Sequence, residues 1–223
     1  MKRLIIIVEG HTEEEFVHLI LTPYLKKFGV QLIDCFKIKH SNGGLNKYEH
    51  LKKDILNCVN DSNCLVTTLV DYYALPKDFP QFKFAHETYS DKRIILSHIE
   101  QSIITDIEIS LSRQIDNLLP YIQLHEFEAL VFACSDGISK FFIPRHVNTQ
   151  ELKRIKRDYP NPENINNGPN TAPSKRLIRI ITGYDKVIDG VNIINEIGIE
   201  TLIETCPRFK IWIENIIAKF TNL

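Results

Sequence analysis

Acidic residues in this chain follow three separate apolar runs that have the character of β-strands. The runs and the acids after them are residues 4–8 with Glu9, residues 65–70 with Asp71, and residues 121–124 with Glu126 and Glu128. An ionisable side chain beyond the carboxyl end of a buried strand lies where open α/β sheets bind their ligands. We therefore expect three strands to bring their carboxylates to one edge of a sheet.

The types of these side chains indicate which cation such a site would bind. Carboxylates that meet at one edge repel each other and raise each other's pKa unless a cation neutralises them. Hard oxygen ligands, in a chain without CxxC or HxxxH spacing, favour Mg²⁺ or Mn²⁺ over zinc. Such ions polarise phosphoryl oxygens and generate the attacking hydroxide, so the pattern predicts phosphodiester chemistry.

The predicted site combines metal ligands with catalytic groups. The predicted ligands are Glu9, Glu13, Asp71, Glu126 and Glu128; the predicted catalytic residues are Glu9, Asp71, Glu126 and His125, the last as a general acid or base. The alternatives are structural. A strand-end acid can cap the next helix, an acid in a first helical turn complements the helix dipole, and a histidine at a strand end is often part of the core.

Length and composition predict an ordinary globular α/β protein. The chain has 223 residues, 43% of them hydrophobic and 25% charged, which fits one domain with an elaboration. Five scattered cysteines without CxxC spacing predict a reduced, cytoplasmic setting. Lys2 and Arg3 precede only five apolar residues, too few for a signal peptide, and no apolar stretch approaches the roughly 18 residues of a membrane span.

Strand and helix signals alternate along the first two-thirds of the chain. The predicted strands cover residues 2–8, 31–39, 65–70 and 121–124, and the predicted helices cover residues 12–28, 47–59 and 91–105. Thr12 would cap the first helix with Glu15 at its third position, and Gly29 would end it. This order predicts a Rossmann-like, mostly parallel four-stranded sheet flanked by helices.

The last third of the chain carries helix signals. Predicted helices cover residues 149–158, 175–181, 189–197, 199–205 and 207–220, and a turn-rich stretch covers residues 159–174. We therefore expect an α/β domain at residues 1–135 and a helical C-terminal extension at residues 136–223 that packs on it.

Positive charge is concentrated in this helical part. Residues 140–179 contain nine Lys or Arg against three Asp or Glu, although the formal net charge of the chain is −1. Ser174, Lys175 and Arg176, at a predicted helix start, would offer an anion a hydroxyl, backbone N–H groups and two cations. The pattern predicts contact with the phosphates of DNA or RNA; the alternative is a solvated start of an amphipathic helix.

Three sequence blocks together resemble a known kind of protein. The blocks are Val8-Glu9-Gly10-His11-Thr12-Glu13 with Asp71, His125-Glu126-Phe127-Glu128-Ala129-Leu130, and Gly168-Pro169-x-x-Ala172-Pro173-Ser174-Lys175-Arg176. The first resembles the Toprim domain, the metal-binding catalytic module of topoisomerases, primases and nucleases of the overcoming-lysogenization-defect type. The combination resembles a bacterial family of Toprim-like proteins suspected in phage defence. The resemblance implies a Mg²⁺- or Mn²⁺-dependent nuclease with an ATPase partner, and a homodimer is left open.

One position departs from the Toprim pattern. Toprim domains usually carry Asp-x-Asp after the third strand, whereas this chain has Asp71-Tyr72-Tyr73. Loss of the second aspartate would weaken a second metal site unless Glu126 or Glu128 replaces it. Two hypotheses follow: a divalent-metal-dependent nuclease, and a catalytically inactive subunit that binds nucleic acid or a partner protein.

Overall fold

The structure is a computed structural model that describes residues 2–39, 44–73, 75–165, 168 and 170–221. Its strands are β1 (Arg3–Val8), β2 (Leu32–Lys37), β3 (Cys64–Asp71), β4 (Leu118–Leu119) and β5 (Ile122–Gln123). Its helices are α1 (His11–Phe16), α2 (Thr22–Lys26), α3 (Tyr48–Val59), α4 (Phe82–Thr88), α5 (Lys92–Leu111), α6 (Glu128–Ala133), α7 (Ile138–Phe141), α8 (Thr149–Asp158), α9 (Pro173–Ile180), α10 (Asp189–Ile197), α11 (Ile199–Thr205) and α12 (Pro207–Thr221). A π-helical turn, Val17–Leu21, joins α1 to α2.

The strands form one parallel sheet. Their order is β2-β1-β3-β4, with β5 also paired to β3. Val8 at the end of β1 lies opposite Lys37 of β2 and Leu69 of β3. Because parallel strands end at the same edge of a sheet, Glu9 and Asp71 lie close to each other at that edge. The structure thus confirms the predicted α/β class, with a parallel sheet flanked by helices and a helical C-terminal part.

The fourth strand, predicted at residues 121–124, corresponds to β5, and β4 precedes it on the other side of Pro120. Leu118–Leu119 and Ile122–Gln123 both pair with β3, and Pro120, which has no N–H to donate, lies between them. The hydroxyl of Thr68 donates to the carbonyl of Tyr121 at 2.8 Å and accepts its N–H at 2.9 Å. A side chain of β3 therefore replaces the missing backbone pairing and keeps the chain in line with the sheet.

Both faces of the sheet are buried, so β1 is apolar almost throughout. Leu4, Ile6 and Val8 face a core shared with helices from the first and the last parts of the chain. Ile5 and Ile7 face a second core, which contains the apolar sides of α3 and α5. Packing on both faces fixes the position of the strand ends and of the acids that follow them.

The helical C-terminal part continues the first of these cores. Phe209, Trp212 and Ile216 of α12 belong to the same buried cluster as β1 and β3. The indole N–H of Trp212 donates to Thr67 Oγ1 in β3 at 2.8 Å, and the ring of Tyr121 stacks on that of Trp212 with centroids 4.5 Å apart. The hydrophobic core therefore crosses the predicted boundary at residue 135.

The start of the first helix differs from its prediction. Gly10, not Thr12, is the N-cap, and Glu13, not Glu15, is the third helical residue. The predicted cap was wrong because the Glu13 carboxylate accepts the Gly10 N–H at 2.9 Å, so the acid half of a capping box lies two residues earlier, on a glycine that has no side chain to supply the other half. Gly29 follows the helical stretch with a φ of 87°, as its predicted role in ending the helix requires.

Most of the other predicted helices are present, with one further correction at a cap. Helices α8, α10 and α11 have the predicted bounds. The helix predicted to start after Ser174 begins at Pro173, so Ser174 lies inside its first turn. Helix α4 was not predicted. The residue types of Asn42-Gly43-Gly44 predict a turn before α3, and all of it but Gly44 lies outside the described residues. No helix in the described ranges is long and apolar enough to cross a membrane.

We expect Thr67→Val to destabilise the protein, because Thr67 joins the sheet to α12. Its buried hydroxyl donates to the Leu119 carbonyl at 2.6 Å and accepts the Trp212 N–H. Valine has a similar shape but would leave both groups unpaired, which lowers the free energy of unfolding by about 1–3 kcal/mol. Urea unfolding would compare it with Thr105→Val, a control at an exposed position of α5. Equal losses in the two variants would contradict this role.

Candidate active site

Glu9 connects the ends of the two central strands. Its Oε2 accepts the N–H of Asp71 at 3.1 Å, and its Oε1 accepts the N–H of Leu45 at 3.3 Å. Its own N–H donates to the Leu69 carbonyl at 3.2 Å. Burial raises the pKa of Glu9, although the two backbone donors oppose this rise. The backbone of β3 and the loop before α3 thus hold this carboxylate at the sheet edge.

Glu13 comes close to Glu9 because the chain turns at Gly10. A Cβ at residue 10 would lie only 3.1 Å from Glu13 Oε2, so glycine provides the room for the Glu13 carboxylate to fold back. Burial raises the pKa of Glu13 to about 7, and the carboxylates of Glu9 and Glu128 add to this rise. Glu13 therefore titrates near neutral pH.

Asp71 lies among the other acids. Its Oδ1 accepts the N–H of Phe127 at 2.9 Å, which ties β3 to the segment after β5. Burial raises the pKa of Asp71 well above its usual range, and Glu13, Glu9 and Glu128 raise it further. A carboxyl group whose pKa responds to three others belongs to one electrostatic unit with them. We call these four residues, Glu9, Glu13, Asp71 and Glu128, the acidic cluster.

A tight turn after β5 brings Glu128 to this cluster. His125 has a left-handed backbone conformation with a φ of 70°, which costs on the order of 1 kcal/mol and is frequent at functional sites. The N–H of Tyr73 donates to the His125 carbonyl at 2.7 Å and holds the turn against the end of β3. The His125 ring is buried, with its centroid 6.4 Å from that of Tyr72. Its predicted role as a general acid or base stays a prediction.

Lys186 supplies the positive charge next to the acidic cluster. Its Nζ lies 3.1 Å from Glu128 Oε1, and no other residue in the described part of the chain donates a hydrogen bond to either Glu128 oxygen. Burial, which is complete for Glu128, raises the pKa of that carboxyl, and Lys186 opposes the rise. Burial also disfavours the Lys186 ammonium, but Glu128 and Asp71 outweigh this and raise its pKa.

Sequence reasoning missed Lys186 because its spacing from the acids carries no signal. It lies in the loop between α9 and α10, far along the chain from Glu128. The loop reaches the cluster because α10 packs against α1 and α6, the helices that carry Glu13 and Glu128. Lys186 is therefore part of the site because of tertiary packing alone.

Glu126 binds the start of α9. Its Oε2 accepts the N–H of Ser174 at 2.8 Å, and its Oε1 accepts the Ser174 hydroxyl at 3.1 Å. Free N–H groups in the first turn of a helix favour an anion, and here that anion is the Glu126 carboxylate. Both oxygens of Glu126 are thus engaged by α9, and its predicted metal-binding and catalytic roles stay predictions.

The other two predicted phosphate contacts differ in exposure. Lys175 is exposed at the surface of α9, whereas Arg176 is buried. The Nε of Arg176 donates to the Thr171 carbonyl at 2.7 Å, and its guanidinium lies over the Tyr159 ring at 5.5 Å. Phosphate binding by Ser174, Lys175 and Arg176 stays a prediction, and Lys175 is the most accessible of the three.

The donor types of the acidic cluster fit a hard divalent cation, but the side chains do not yet surround one. Within the described ranges, no three Asp, Glu, His or Cys side chains are close enough in this conformation to hold a metal ion. The cluster nevertheless offers carboxylates alone, the ligand type that such ions prefer, and burial is the main cause that raises the pKa of Asp71 and Glu128. Binding of Mg²⁺ or Mn²⁺ by these residues, which would require the carboxylates to draw together, stays a prediction.

These features define an α/β protein whose parallel sheet carries a largely buried acidic cluster at its carboxyl edge. The chain belongs to the DUF4276 family, a domain of unknown function, whose model matches residues 8–217. The matched span contains the whole acidic cluster and Lys186. No curated protein and no solved structure matches the chain.

The raised pKa of Glu13 predicts a pH-dependent stability. Because this pKa, about 7, lies above the ordinary value of 4.5, the folded state binds more protons than the unfolded state between these values. Stability therefore falls as the pH rises through this window. Glu13→Gln keeps an acceptor for Gly10 but does not titrate, so we expect it to exceed the wild type by about 1–3 kcal/mol at pH 8 and to match it near pH 4.5.

Unfolding in urea at the two pH values would measure this difference. Glu15→Gln, an exposed position on the same helix, is the matched control and should behave as the wild type. A Glu13→Gln variant whose stability differs from the wild type by the same amount at both pH values would contradict the assignment.

We also expect Glu126→Gln to destabilise the protein, because one oxygen that now accepts a hydrogen bond from Ser174 becomes a donor. The lost charge-assisted contact should lower the free energy of unfolding by about 1–3 kcal/mol. Denaturant unfolding, with the exposed Glu204→Gln on α11 as control, measures the effect. Unchanged stability would show that Glu126 does not anchor α9.

Proposed function

We propose that this protein is a divalent-metal-dependent nuclease that hydrolyses phosphodiester bonds in DNA or RNA. The observation that carries the proposal is the acidic cluster, in which carboxylates from the ends of β1 and β3 and the starts of α1 and α6 share one electrostatic environment. Strongly perturbed pKa values of this kind concentrate at functional sites. The resemblance of its motifs to the Toprim domain supports the same function.

The residues of the cluster suit different tasks in this reaction. Mg²⁺ or Mn²⁺ would polarise the phosphodiester and lower the pKa of the attacking water. Glu9, Asp71 and Glu128 would offer the ligand oxygens. Glu13, with a pKa of about 7, is the cluster residue best suited to accept a proton from the attacking water at neutral pH. The exposed Lys175 would contact a phosphate further along the nucleic acid.

Specific observations favour a second candidate, a catalytically inactive subunit that binds nucleic acid or a partner protein. Tyr73, in the place of the second Toprim aspartate, is exposed, and both oxygens of Glu126 are engaged by Ser174. No group of three potential metal ligands is preformed in the described residues. In such a protein the acidic cluster would position the loop that carries Lys186.

The biological setting is part of the proposal and rests on the Toprim-like motifs. A role in phage defence beside an ATPase partner follows from that resemblance. The cytoplasmic location rests on the cysteines, all five of which are free thiols in the structure. A homodimer would be compatible with the proposed function and is not required by it.

We expect Glu9→Gln and Asp71→Asn each to reduce metal-dependent cleavage by on the order of 10²-fold or more while the fold is kept. Glu9→Gln relieves repulsion but also turns one oxygen that accepts a backbone N–H into a donor, so we expect a lower unfolding temperature for this variant without loss of the fold. Cleavage of labelled DNA and RNA with Mn²⁺, together with circular dichroism, tests both statements, with Glu15→Gln as the active control. Full activity in both variants would contradict the proposed site; a wild type that binds nucleic acid without cleaving it would favour the second candidate.

A further inference from the structure

A cavity lies between α7 and α8, in the helical C-terminal part of the chain. Its volume is about 280 Å³, and both helices and the segment that joins them contribute to its walls. None of the described residues that line it belongs to the acidic cluster. The cavity is therefore separate from the proposed nuclease site, and a ligand bound in it would have a function beyond the one proposed above.

The walls of this cavity are mostly apolar. Ile138 is fully buried, and Phe142, Val147 and Leu152 pack against the same hydrophobic core, which holds these side chains in place. A dry apolar cavity of about 150 Å³ holds one benzene molecule. A cavity of about 280 Å³ therefore has room for an aromatic ring with a short substituent.

One polar group at this cavity lacks a partner. Ser135 lines the cavity and is only 4% exposed, and its hydroxyl has no hydrogen-bond partner among the described residues. Buried hydroxyls are nearly always hydrogen-bonded, because an unpaired one has lost its bonds to water without replacement. The nearby Ser139 differs, since its hydroxyl donates to the Asp136 carbonyl at 3.1 Å. Ser135 therefore has an unused donor and acceptor for a bound ligand.

Two lysines of α8 determine which charge the cavity prefers. Lys153 and Lys156 both line it and are exposed. The Lys156 ammonium lies 2.8 Å from each carboxylate oxygen of Asp136, so its charge is balanced within the wall. In the described part of the chain, the cations of α8 that form ion pairs are Arg154, Lys156 and Arg157, but not Lys153. One uncompensated positive charge beside an apolar cavity suits a ligand with one negative charge.

We infer that this cavity binds a small aromatic carboxylate. The ring would lie among the apolar side chains, a polar substituent of the ring would pair with the Ser135 hydroxyl, and the carboxylate would lie beside the Lys153 ammonium. Binding sites for small molecules combine the same features, an apolar lining and a few polar groups that fix the orientation of the ligand. A nucleotide suits the cavity poorly, because its phosphates would meet apolar walls and one uncompensated cation.

Saturation-transfer NMR and calorimetric titration of the full chain, with para-hydroxyphenylacetate as the probe, test the inference. We expect one saturable site on the wild type. Ser139→Trp places an indole at an exposed position of the cavity wall, so it should abolish binding and keep the fold. Ser110→Trp on α5 is the matched control, because that hydroxyl also donates to a carbonyl of its own helix, and it should bind as the wild type does.

Two further variants test the polar contacts. Ser135→Ala should weaken the binding of para-hydroxyphenylacetate by about 2- to 10-fold and leave that of phenylacetate, which has no ring hydroxyl, unchanged. Because it removes an unpaired hydroxyl, this variant should be at least as stable as the wild type. Lys153→Met should weaken the binding of both carboxylates by about 2- to 5-fold and leave that of the neutral amide unchanged.

Three results would overturn the inference. They are a wild type without saturable binding, a Ser139→Trp variant that binds as tightly as the wild type, and unchanged affinity in both Ser135→Ala and Lys153→Met. A wild type that sediments as a dimer while Ser139→Trp is monomeric would also overturn it, because the cavity would then receive a side chain of a second copy. None of these measurements involves nucleic acid, so their outcome leaves the nuclease proposal unaffected.

Discussion

The burial of several carboxyl groups in one corner, together with the repulsion between them, is the constraint on which this structure depends. Each acid of the cluster would be ionised in water at neutral pH, yet burial opposes that ionisation in all four, and the neighbouring carboxylates add to the effect at Asp71 and Glu13. The corner is stable because the Lys186 ammonium lies in it and because backbone N–H groups donate to several of the carboxylate oxygens. The position of Lys186, the turn at Gly10 and the turn at His125 all serve this requirement.

The acids are also structural connectors, each joining two segments that are distant in the chain. Glu9 binds the backbone of β3 and the loop before α3, and Asp71 binds the start of the segment that leads into α6. Glu126 performs the same task for α9. Backbone donors stabilise the ionised forms and so offset part of the desolvation that the site imposes. The same carboxylates therefore build the corner and hold the Lys186 ammonium beside it.

Local patterns were sufficient to predict the sheet and most of the cluster. A fully buried parallel strand is apolar at almost every position, so β1 and β3 stand out in the sequence, and the residue after each is fixed at the sheet edge. The short strand before Pro120 was missed, because two residues followed by a proline that cannot donate a hydrogen bond to β3 carry no strand pattern. The cap of α1 was predicted wrongly because Thr12 is a favoured cap by type, whereas the longer Glu13 reaches back to Gly10.

Contacts between distant segments were beyond the reach of these patterns. Glu126 and Ser174 are joined by how α6 and α9 pack, and Lys186 reaches Glu128 through the packing of α10. A lysine in a polar loop has the same local signature whether it is solvated or bound to a buried acid. Its role depends on tertiary contacts, which spacing along the chain does not encode.

The position of α12 in the core has a consequence for how the protein folds. Phe209, Trp212 and Ile216 share one buried cluster with Leu4, although they are far from it in the sequence. Contacts between such distant residues form slowly, because the entropy of closing the long intervening loop must be lost before the contacts stabilise the chain. This face of the sheet is therefore closed by a non-local contact, and β1 is fully covered only once α12 has docked.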